Sequence, residues 1–333
     1  MINIGIVGYG YWGPRIVRNF HNIDGCEVSI VCDKNPASLC RARREFPGVH
    51  LTSDLSEVLS SPDIDAVAIV TPVCTHFELA RTALENGKHV FVEKPFTSTV
   101  LQAEQLIELA DRKNLQIMVD HTFLFTGAVR KIRQLIEEGK LGKLYYYDST
   151  RVNLGLFQHD VNVIWDLAPH DLAIVDHLVR EEPECVVATA QAHLNGLENL
   201  AHITVYFSDR MIANINVNWL SPVKVRTTLI GGEKRMLVWN DLEADEKLKV
   251  YDKGVQVGNG QNVYDLLVSY RSGDMWAPKL DQTEALANET EYFIDCVSNN
   301  LTPFNDGYAG LRVVKILEAA SKSMKSRGIP VEL

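Results

Sequence analysis

A glycine-rich turn near the amino terminus constrains the fold more than any other feature of the sequence. Gly8, Gly10 and Gly13 form a GxGxxG pattern directly after an apolar stretch and before a stretch with helical periodicity. In such a unit the first glycine permits a tight turn, the second lets the backbone approach a pyrophosphate, and the third allows close packing of helix on strand. The pattern predicts a dinucleotide site that includes Tyr11 and Trp12; a glycine-rich turn without a ligand is the alternative.

The first 121 residues continue this alternation of short apolar runs and amphipathic stretches. The runs predict strands at 2–7, 28–32, 50–52, 66–70, 89–92 and 116–119, and the amphipathic stretches predict helices at 14–22, 36–46, 54–60, 76–86 and 98–113. Strands that alternate with helices are typical of βαβ units and a parallel sheet. We therefore expect an α/β chain whose residues 1–121 form an NAD-binding Rossmann domain with a doubly wound sheet.

The remaining residues have a different texture, with one helical stretch followed by long segments rich in β-branched and aromatic residues. Strands are predicted at 143–152, 185–193, 201–207, 211–219, 224–231, 236–239 and 247–251, and helices at 128–138, 284–298 and 307–326. Residues 254–279 are expected to form an ordered loop. Successive strands joined by turn residues favour an antiparallel arrangement. We expect residues 122–333 to form an α+β domain with a large, mostly antiparallel open sheet.

The composition excludes several classes of protein. The net charge of −10, from 33 basic and 43 acidic residues, opposes attraction to a phosphate polymer, so no nucleic-acid partner is expected. No apolar run approaches the roughly 18 residues that span a bilayer, and the first residues lack the pattern of a secretory signal. The six cysteines contain no C-x-x-C pair. The sequence thus predicts a cytoplasmic protein without a membrane partner or a metal.

Asp33 ends the second predicted strand, at the position where a carboxylate accepts hydrogen bonds from the adenosine ribose hydroxyls. A 2′-phosphate at this place would meet a like charge, and NAD is therefore favoured over NADP. Lys34 could relieve that repulsion, so use of both cofactors stays open. A surface turn aspartate is the alternative for Asp33.

Polar residues follow the fourth, fifth and sixth predicted strands. They are Thr71, Pro72 and His76, then Glu93 and Lys94, and then His121. The carboxyl ends of parallel strands form the edge of the sheet where ligands bind, and these residues are therefore candidates for the cofactor site. For His121 a turn at the strand end is equally compatible with its position, and for Lys94 the alternative is a solvated surface lysine.

Asp166 and His170 form a second candidate pair, four residues apart and therefore on one face of a helix. Pro169 is compatible with a helix only near its start, so Asp166 is expected to cap that helix. An imidazole with an ordinary pKa of about 6.5 can accept a proton at neutral pH. The alternative is a capping aspartate beside a structural histidine. A metal site would recruit His177, but no third ligand with suitable spacing is evident.

Taken together, these motifs resemble the Gfo/Idh/MocA family of sugar and cyclitol oxidoreductases. The resemblance rests on the glycine turn, on Thr71-Pro72 with His76, on the run from Ala83 to Pro95, on Asp166 with His170, and on Asp306-Gly307 before the last helix. It covers essentially the whole chain. It implies an NAD-dependent enzyme with a Rossmann domain followed by a domain for substrate binding and oligomerisation.

The resemblance also implies roles for individual residues. Glu93 is expected to contact the nicotinamide ribose, and Lys94 is expected to reach both that ribose and the substrate hydroxyl, with a cis Lys94-Pro95 bond. His170 is expected to act as general base or acid, with Asp166 orienting the substrate, so that Lys94, Asp166 and His170 form the catalytic set. Family members commonly associate through the exposed sheet, which implies a homo-oligomer, either a dimer or a tetramer.

The expected reaction is hydride transfer between a secondary hydroxyl of a sugar and nicotinamide. Residues that could line the sugar pocket are Arg151, Asn153, Phe157, His159 and Asn162, in addition to the catalytic set. The stretches GYGYWGPRIVRNF and NVIWDLAPHDLAI most resemble nucleotide-sugar dehydrogenases, such as those that oxidise the 3-hydroxyl of a UDP-N-acetylhexosaminuronate. Lys224, Arg226 or Arg271 would then be candidates to meet a diphosphate.

Two alternative functions remain open at this level. One is a non-redox glycosidase that uses bound NAD transiently, in which case reduced cofactor would not accumulate. The other is an NAD-binding regulator without turnover. The complete set of Lys94, Asp166 and His170 argues against a regulator, because a sensor needs no group for proton transfer.

Overall fold

The computed structural model describes residues 1–155, 157–179, 181–194, 196–257 and 268–333. The chain divides into two compact units. The first comprises Met1–Phe125 and Thr283–Glu318, and the second comprises Thr126–Gln282 and Ala319–Leu333. Residues 283–318, which the sequence analysis placed in the second domain, thus belong to the first unit by their contacts. The roles assigned to domains 1–121 and 122–333 stay predictions.

The first unit contains a six-stranded parallel sheet. Its strands are β1 (Ile2–Val7), β2 (Cys26–Cys32), β3 (His50–Thr52), β4 (Ala66–Ile69), β5 (His89–Glu93) and β6 (Ile117–Asp120). They are ordered β3-β2-β1-β4-β5-β6, which reverses direction at β1 and β4 and so creates the crevice at which dinucleotides bind in doubly wound folds. The Rossmann arrangement predicted from the sequence is confirmed.

Apolar stripes explain how helices cover this sheet. The helices of the unit are α1 (Gly13–His21), α2 (Pro36–Glu45), α3 (Ser56–Leu59), α4 (Val73–Glu85), α5 (Val100–Lys113) and, after the second unit, α8 (Ala285–Asn299) and the first part of α9 (Gly307–Lys325). Phe20 of α1 packs edge-on against Phe91 of β5 and Phe293 of α8, with ring centroids 5.5 and 6.1 Å away. Burial of these three rings against one another attaches α8 to the first unit, although α8 follows the second unit in sequence.

The second unit contains a nine-stranded sheet together with the helices α6 (Gly127–Glu137) and α7 (Val163–Leu178). Its strands are β7 (Leu144–Leu154), β8 (Pro183–Gln191), β9 (Leu200–Phe207), β10 (Ile212–Asn218), β11 (Leu220–Gly232), β12 (Met236–Asn240), β13 (Leu248–Val257), β14 (Val268–Trp276) and β15 (Val331–Glu332). The order is β14-β13-β12-β11-β7-β10-β9-β8-β15. All neighbours are antiparallel except β7 and β10, which confirms the predicted sheet.

The prediction of a loop over 254–279 is wrong for the residues that the structure describes. β13 extends to Val257, and β14 pairs with it from Val268 to Trp276. Residues 272–275 are exposed and include Gly273 and Asp274, so the apolar alternation that identifies a strand is missing from this part of β14. Residues 258–267 lie outside the described part of the chain.

The start predicted for the helix around Asp166 is also wrong. α7 begins at Val163, and Asn162 caps it by accepting a hydrogen bond from Trp165 N at 3.2 Å. Pro169 therefore lies inside the helix rather than in its first turn. The burial of ten α7 residues explains why the helix tolerates the hydrogen bond that proline cannot donate. Within the described ranges, no helix combines the length and apolar character that crossing a bilayer requires.

Candidate active site

The glycine-rich turn between β1 and α1 has the geometry that its sequence predicts. Gly8 has a φ of +102°, and a Cβ at this position would lie 2.3 Å from the carbonyl oxygen of Val70. A Cβ on Gly13 would lie 2.5 Å from the carbonyl oxygen of Gly8. A Cβ on Gly10 would meet no described atom within 4 Å. Two glycines therefore serve close packing, whereas Gly10 faces the open space that a pyrophosphate would occupy.

The carboxylate of Asp33 is held beside this turn by backbone N–H groups. One oxygen accepts from Tyr9 N at 2.7 Å and the other accepts from Asn35 N at 2.7 Å. A pocket of about 290 Å³ opens here, and its lining includes Gly8, Gly10, Asp33, Lys34, Leu55, Thr71, Pro72 and Leu79. Polar Asp33 among apolar walls fits an adenosine, whose ribose hydroxyls can donate to the carboxylate. The residues present therefore fit the dinucleotide that the turn predicts.

Three side chains around the turn carry further interactions. Tyr11 is 74% exposed, and the Arg15 guanidinium lies 4.8 Å from the centre of its ring. Trp12 donates from Nε1 to Asp120 at the end of β6, at 3.1 Å. Arg41 of α2 donates to the carbonyl oxygens of Tyr9 and Gly10 at 2.6 and 2.7 Å. Arg41 therefore holds the backbone of the turn by two hydrogen bonds. The sequence analysis did not predict this role, because no sequence motif places α2 against the turn.

His76 is fully buried between the ends of β4 and β5. Its Nε2 lies 2.7 Å from the carbonyl oxygen of Thr71, and its Nδ1 lies 2.9 Å from that of Pro95. Burial lowers the pKa of His76, and hydrogen bonds to the backbone partly oppose that effect. These contacts make His76 a residue that positions two strand-end loops; its predicted contact with cofactor stays a prediction.

Lys94 and His121 follow β5 and β6. The Lys94-Pro95 bond is cis, as predicted, and Lys94 and Glu93 are partly exposed. His121 is 2% exposed, and neither ring nitrogen has a hydrogen-bond partner among the described residues. The pKa of His121 is lowered to about 4, mainly by burial; Asp120 opposes this shift, and the Lys94 ammonium adds a smaller lowering effect. A neutral imidazole thus lies at the end of β6, where the sequence analysis gives His121 as a candidate contact of the cofactor.

In the second unit, α7 presents Asp166 and His170 as partly exposed side chains one turn apart. Trp219 donates from its indole nitrogen to Asp166 at 3.1 Å, and the Phe157 ring lies edge-on to Trp219 at 5.5 Å. Trp219 is 1% exposed, and it therefore fixes Asp166 from the end of β10. The sequence analysis placed Trp219 in the sheet and missed this contact, since its partner lies 53 residues away.

Arg151, a predicted contact of the sugar, lies within a strand, in agreement with the strand predicted at 143–152. It lies in β7, and its guanidinium bonds Asp171 of α7 at 2.6 and 3.3 Å with both side chains buried. Asn162 is the α7 cap and also donates to Glu198 at 2.9 Å. Asn153 is partly exposed in β7, and His159 is exposed. The substrate contacts of these residues stay predictions.

The candidate diphosphate contacts are distributed over the sheet. Arg226 pairs with Asp241 at 3.3 Å, and Arg271 pairs with Asp252 at 3.1 Å. Lys224 is exposed on β11. Both arginines thus already have a carboxylate partner, Asp241 in the turn after β12 and Asp252 in β13.

Comparison with known protein families identifies the class to which the fold and the turn belong. Residues 2–121 match the oxidoreductase family with an NAD-binding Rossmann fold, and residues 129–238 match the GFO/IDH/MocA C-terminal domain. The chain belongs to the GFO/IDH/MocA oxidoreductase family. The resemblance inferred from the motifs is thereby confirmed.

Individual relatives are similar over different shares of their length. An uncharacterized oxidoreductase of Streptococcus pneumoniae serotype 4 is 28% identical over 220 residues, which span 63% of this chain but little more than half, 57%, of that protein. The UDP-N-acetylglucosamine 3-dehydrogenase of Acidithiobacillus ferrooxidans is 28% identical over 93% of both chains. Its solved structure superposes with a TM-score of 0.80 at 25% identity and covers 98% of both chains.

Relatives named for different nicotinamide cofactors are similar to this chain over nearly its full length. Two scyllo-inositol 2-dehydrogenases of Bacillus subtilis, one named for NAD(+) and one for NADP(+), are 25% and 24% identical. These matches cover 100% and 98% of this chain and 95% and 94% of the relatives. Relatives named for either cofactor are thus similar to this chain over almost all of its length.

Proposed function

We propose that this protein is an NAD-dependent oxidoreductase that acts on a secondary hydroxyl of a sugar, and that the sugar is attached to a nucleotide. The observation that carries the proposal is the pocket in which the open backbone of Gly10 and the carboxylate of Asp33 lie together. Family membership and the similarity to a UDP-N-acetylglucosamine 3-dehydrogenase over 93% of both chains support the substrate class.

The proposal gives each candidate residue one task. Asp33 accepts hydrogen bonds from the adenosine ribose and disfavours a 2′-phosphate by charge repulsion. Lys94 holds the substrate hydroxyl, Asp166 orients the substrate, and His170 takes or returns the hydroxyl proton. The chemistry that NAD supplies when bound is acceptance of the hydride from the carbinol carbon.

The support for Asp166 and His170 is chemical and local. Trp219 fixes one oxygen of Asp166, and an oriented carboxylate costs less to align with a substrate hydroxyl than a mobile one. His170 lies one turn along the same helix, and an imidazole can move a proton at neutral pH. The predicted homo-oligomer in the cytoplasm is part of the same proposal, supported by the family resemblance.

Absorbance of reduced nicotinamide tests this function directly. Purified protein is mixed with NAD or NADP and a panel of UDP-sugars, the matching free sugars and inositols. We expect stoichiometric reduction of NAD with a nucleotide sugar and at least tenfold lower kcat/KM with NADP. Products are then separated, because glycosidic cleavage without net reduction would establish the non-redox glycosidase instead.

His170→Ala tests the proton-transfer role within the active protein. We expect kcat to fall about 10²- to 10⁴-fold, as for loss of a general base. His202→Ala is the matched control, because His202 is an exposed histidine on β9 of the same unit. Turnover of His170→Ala within about threefold of the control would refute the assigned mechanism.

A further inference from the structure

Two carboxyl groups are buried against each other beneath the glycine-rich turn. Glu289 of α8 is 0% exposed and Asp120 at the end of β6 is 1% exposed, and the two carboxyl groups lie close enough for charge and hydrogen bonding to act between them. Asp120 also accepts the Trp12 indole N–H at 3.1 Å, and Trp12 stands in the turn between Gly10 and Gly13. A continuous chain of contacts thus leads from α8 through β6 to the backbone that faces the dinucleotide.

Two buried carboxyls in contact cannot both be ionised, so the pair holds at least one proton. Burial raises the pKa of Glu289 well above its ordinary value, and the charge of Asp120, the hydrogen bond to Asp120 and the charge of Glu93 add to the effect. A hydrogen bond with Thr122 acts in the opposite direction. Burial and the neighbouring charges therefore favour the protonated form of Glu289.

The neighbours of Glu289 differ in the hydrogen bonds that they already make. Asn305 donates to Oε1 of Glu289 at 3.3 Å and to the carbonyl oxygen of Val119 at 2.8 Å, so its amide faces Glu289 as a donor. Asp120, by contrast, accepts from Trp12 and from the hydroxyl of Thr122. A protonated Glu289 thus completes a set of donors around Asp120.

We propose that Glu289 is a positioning residue that donates its carboxyl proton to Asp120, and that the pair fixes Trp12 and with it the conformation of the glycine-rich turn that receives the dinucleotide. This inference rests on the dinucleotide site of the proposed function. It assigns to α8, which is far from the turn in sequence, a part in cofactor affinity. Glu289 contacts neither substrate nor cofactor in this scheme.

Two substitutions separate the proton from the shape of the side chain. Glu289→Gln keeps an amide donor for Asp120 and an oxygen for Asn305, whereas Glu289→Met has a similar length and no donor. We expect the NAD dissociation constant of Glu289→Gln to stay within about twofold of wild type and that of Glu289→Met to rise about tenfold. Trp12→Phe should weaken binding by a similar factor, and the double variant Glu289→Met/Trp12→Phe should be no weaker than either single one.

Two measurements on the cofactor-free protein keep this inference separate from the proposed function. Infrared difference spectra of wild type against Glu289→Gln at neutral pH should show the carbonyl stretch of one protonated carboxylic acid. In isotope-labelled protein the indole N–H resonance of Trp12, identified by its loss in Trp12→Phe, should keep its position in Glu289→Gln and move in Glu289→Met. If NAD does not bind at all, the proposed function fails while these two signals still report on the carboxyl pair.

The proposal can still be tested if Glu289→Met does not fold, because NAD binding by Glu289→Gln and the infrared band can still be measured. Absence of a protonated-acid band would overturn the proposal. So would an unmoved Trp12 resonance in a folded Glu289→Met, or additive losses in the double variant. Impaired binding in Glu289→Gln with an intact Trp12 resonance would also overturn it, because it would show that the carboxyl acts by a route other than the turn.

Discussion

Replacing Arg151 with methionine tests the buried ion pair that joins β7 to α7. The guanidinium lies 2.6 Å from one oxygen of Asp171 and 3.3 Å from the other, with only 7% and 2% of the two side chains exposed. Methionine fills much of the same space without a charge. The carboxylate of Asp171 is then left buried, with the Tyr147 hydroxyl at 3.4 Å as a remaining donor.

The expected loss of stability follows from that stranded charge. Removing one partner of a buried ion pair costs about 3–5 kcal/mol, because the other charge stays out of water without compensation. Replacing both partners by apolar residues costs far less and is often neutral. Arg151→Met should therefore lose about 3–5 kcal/mol, and Arg151→Met/Asp171→Leu should regain most of that loss, to within about 1 kcal/mol of wild type.

Urea unfolding followed by circular dichroism measures these free energies, with equal m-values required for the comparison. Arg81→Met is the control, because the Arg81–Glu78 pair at 2.5 Å has side chains that are 45% and 63% exposed. Such an exposed pair contributes about 0–1 kcal/mol. The reasoning is refuted if Arg151→Met is as stable as the Arg81→Met control, or if the double variant is no more stable than Arg151→Met.

Three further expectations follow from single sites. Gly10→Ala should weaken NAD binding at least about tenfold and leave thermal stability unchanged, because its Cβ meets no described atom within 4 Å. Gly13→Ala should lower the melting temperature, because its Cβ would lie 2.5 Å from Gly8 O. Isothermal titration measures the binding and calorimetry the melting temperature, and NAD binding by Gly10→Ala equal to that of wild type would contradict the first expectation. Asp33→Ser should raise kcat/KM with NADP relative to NAD by about tenfold or more in steady-state assays, since it removes the charge that repels a 2′-phosphate; an unchanged ratio would remove Asp33 as the discriminator. The pKa of His121 is about 4 against an ordinary 6.5, and this difference contributes up to about 3 kcal/mol of folding stability. The contribution is fully present above pH 6.5 and is lost as the pH falls towards 4. His121→Gln should therefore flatten this part of the curve of unfolding free energy against pH, and an unchanged slope would exclude the contribution.

The correct sequence predictions depend on local patterns. The glycine turn, the six parallel strands and most helices follow from the spacing of apolar residues and from glycine positions, which act over a few neighbours. The predictions of the start of α7 and of a loop in place of the β13–β14 hairpin were wrong for a related reason. Pro169 and the polar edge strand are locally unfavourable, and only burial of α7 and pairing with β13 stabilise them.

The amino-acid sequence by itself determined the two kinds of sheet, the dinucleotide turn and the identity of the candidate groups Asp33, Lys94, Asp166 and His170. Only the tertiary structure decided which polar side chains, distant in sequence, pair with one another. Trp12 reaches an acceptor 108 residues away and Trp219 an acceptor 53 residues away. The physical reason is that a buried polar or charged group needs a hydrogen-bonding or charged partner, and packing determines which groups lie close to it. No periodic pattern of residues in the sequence identifies such a partner.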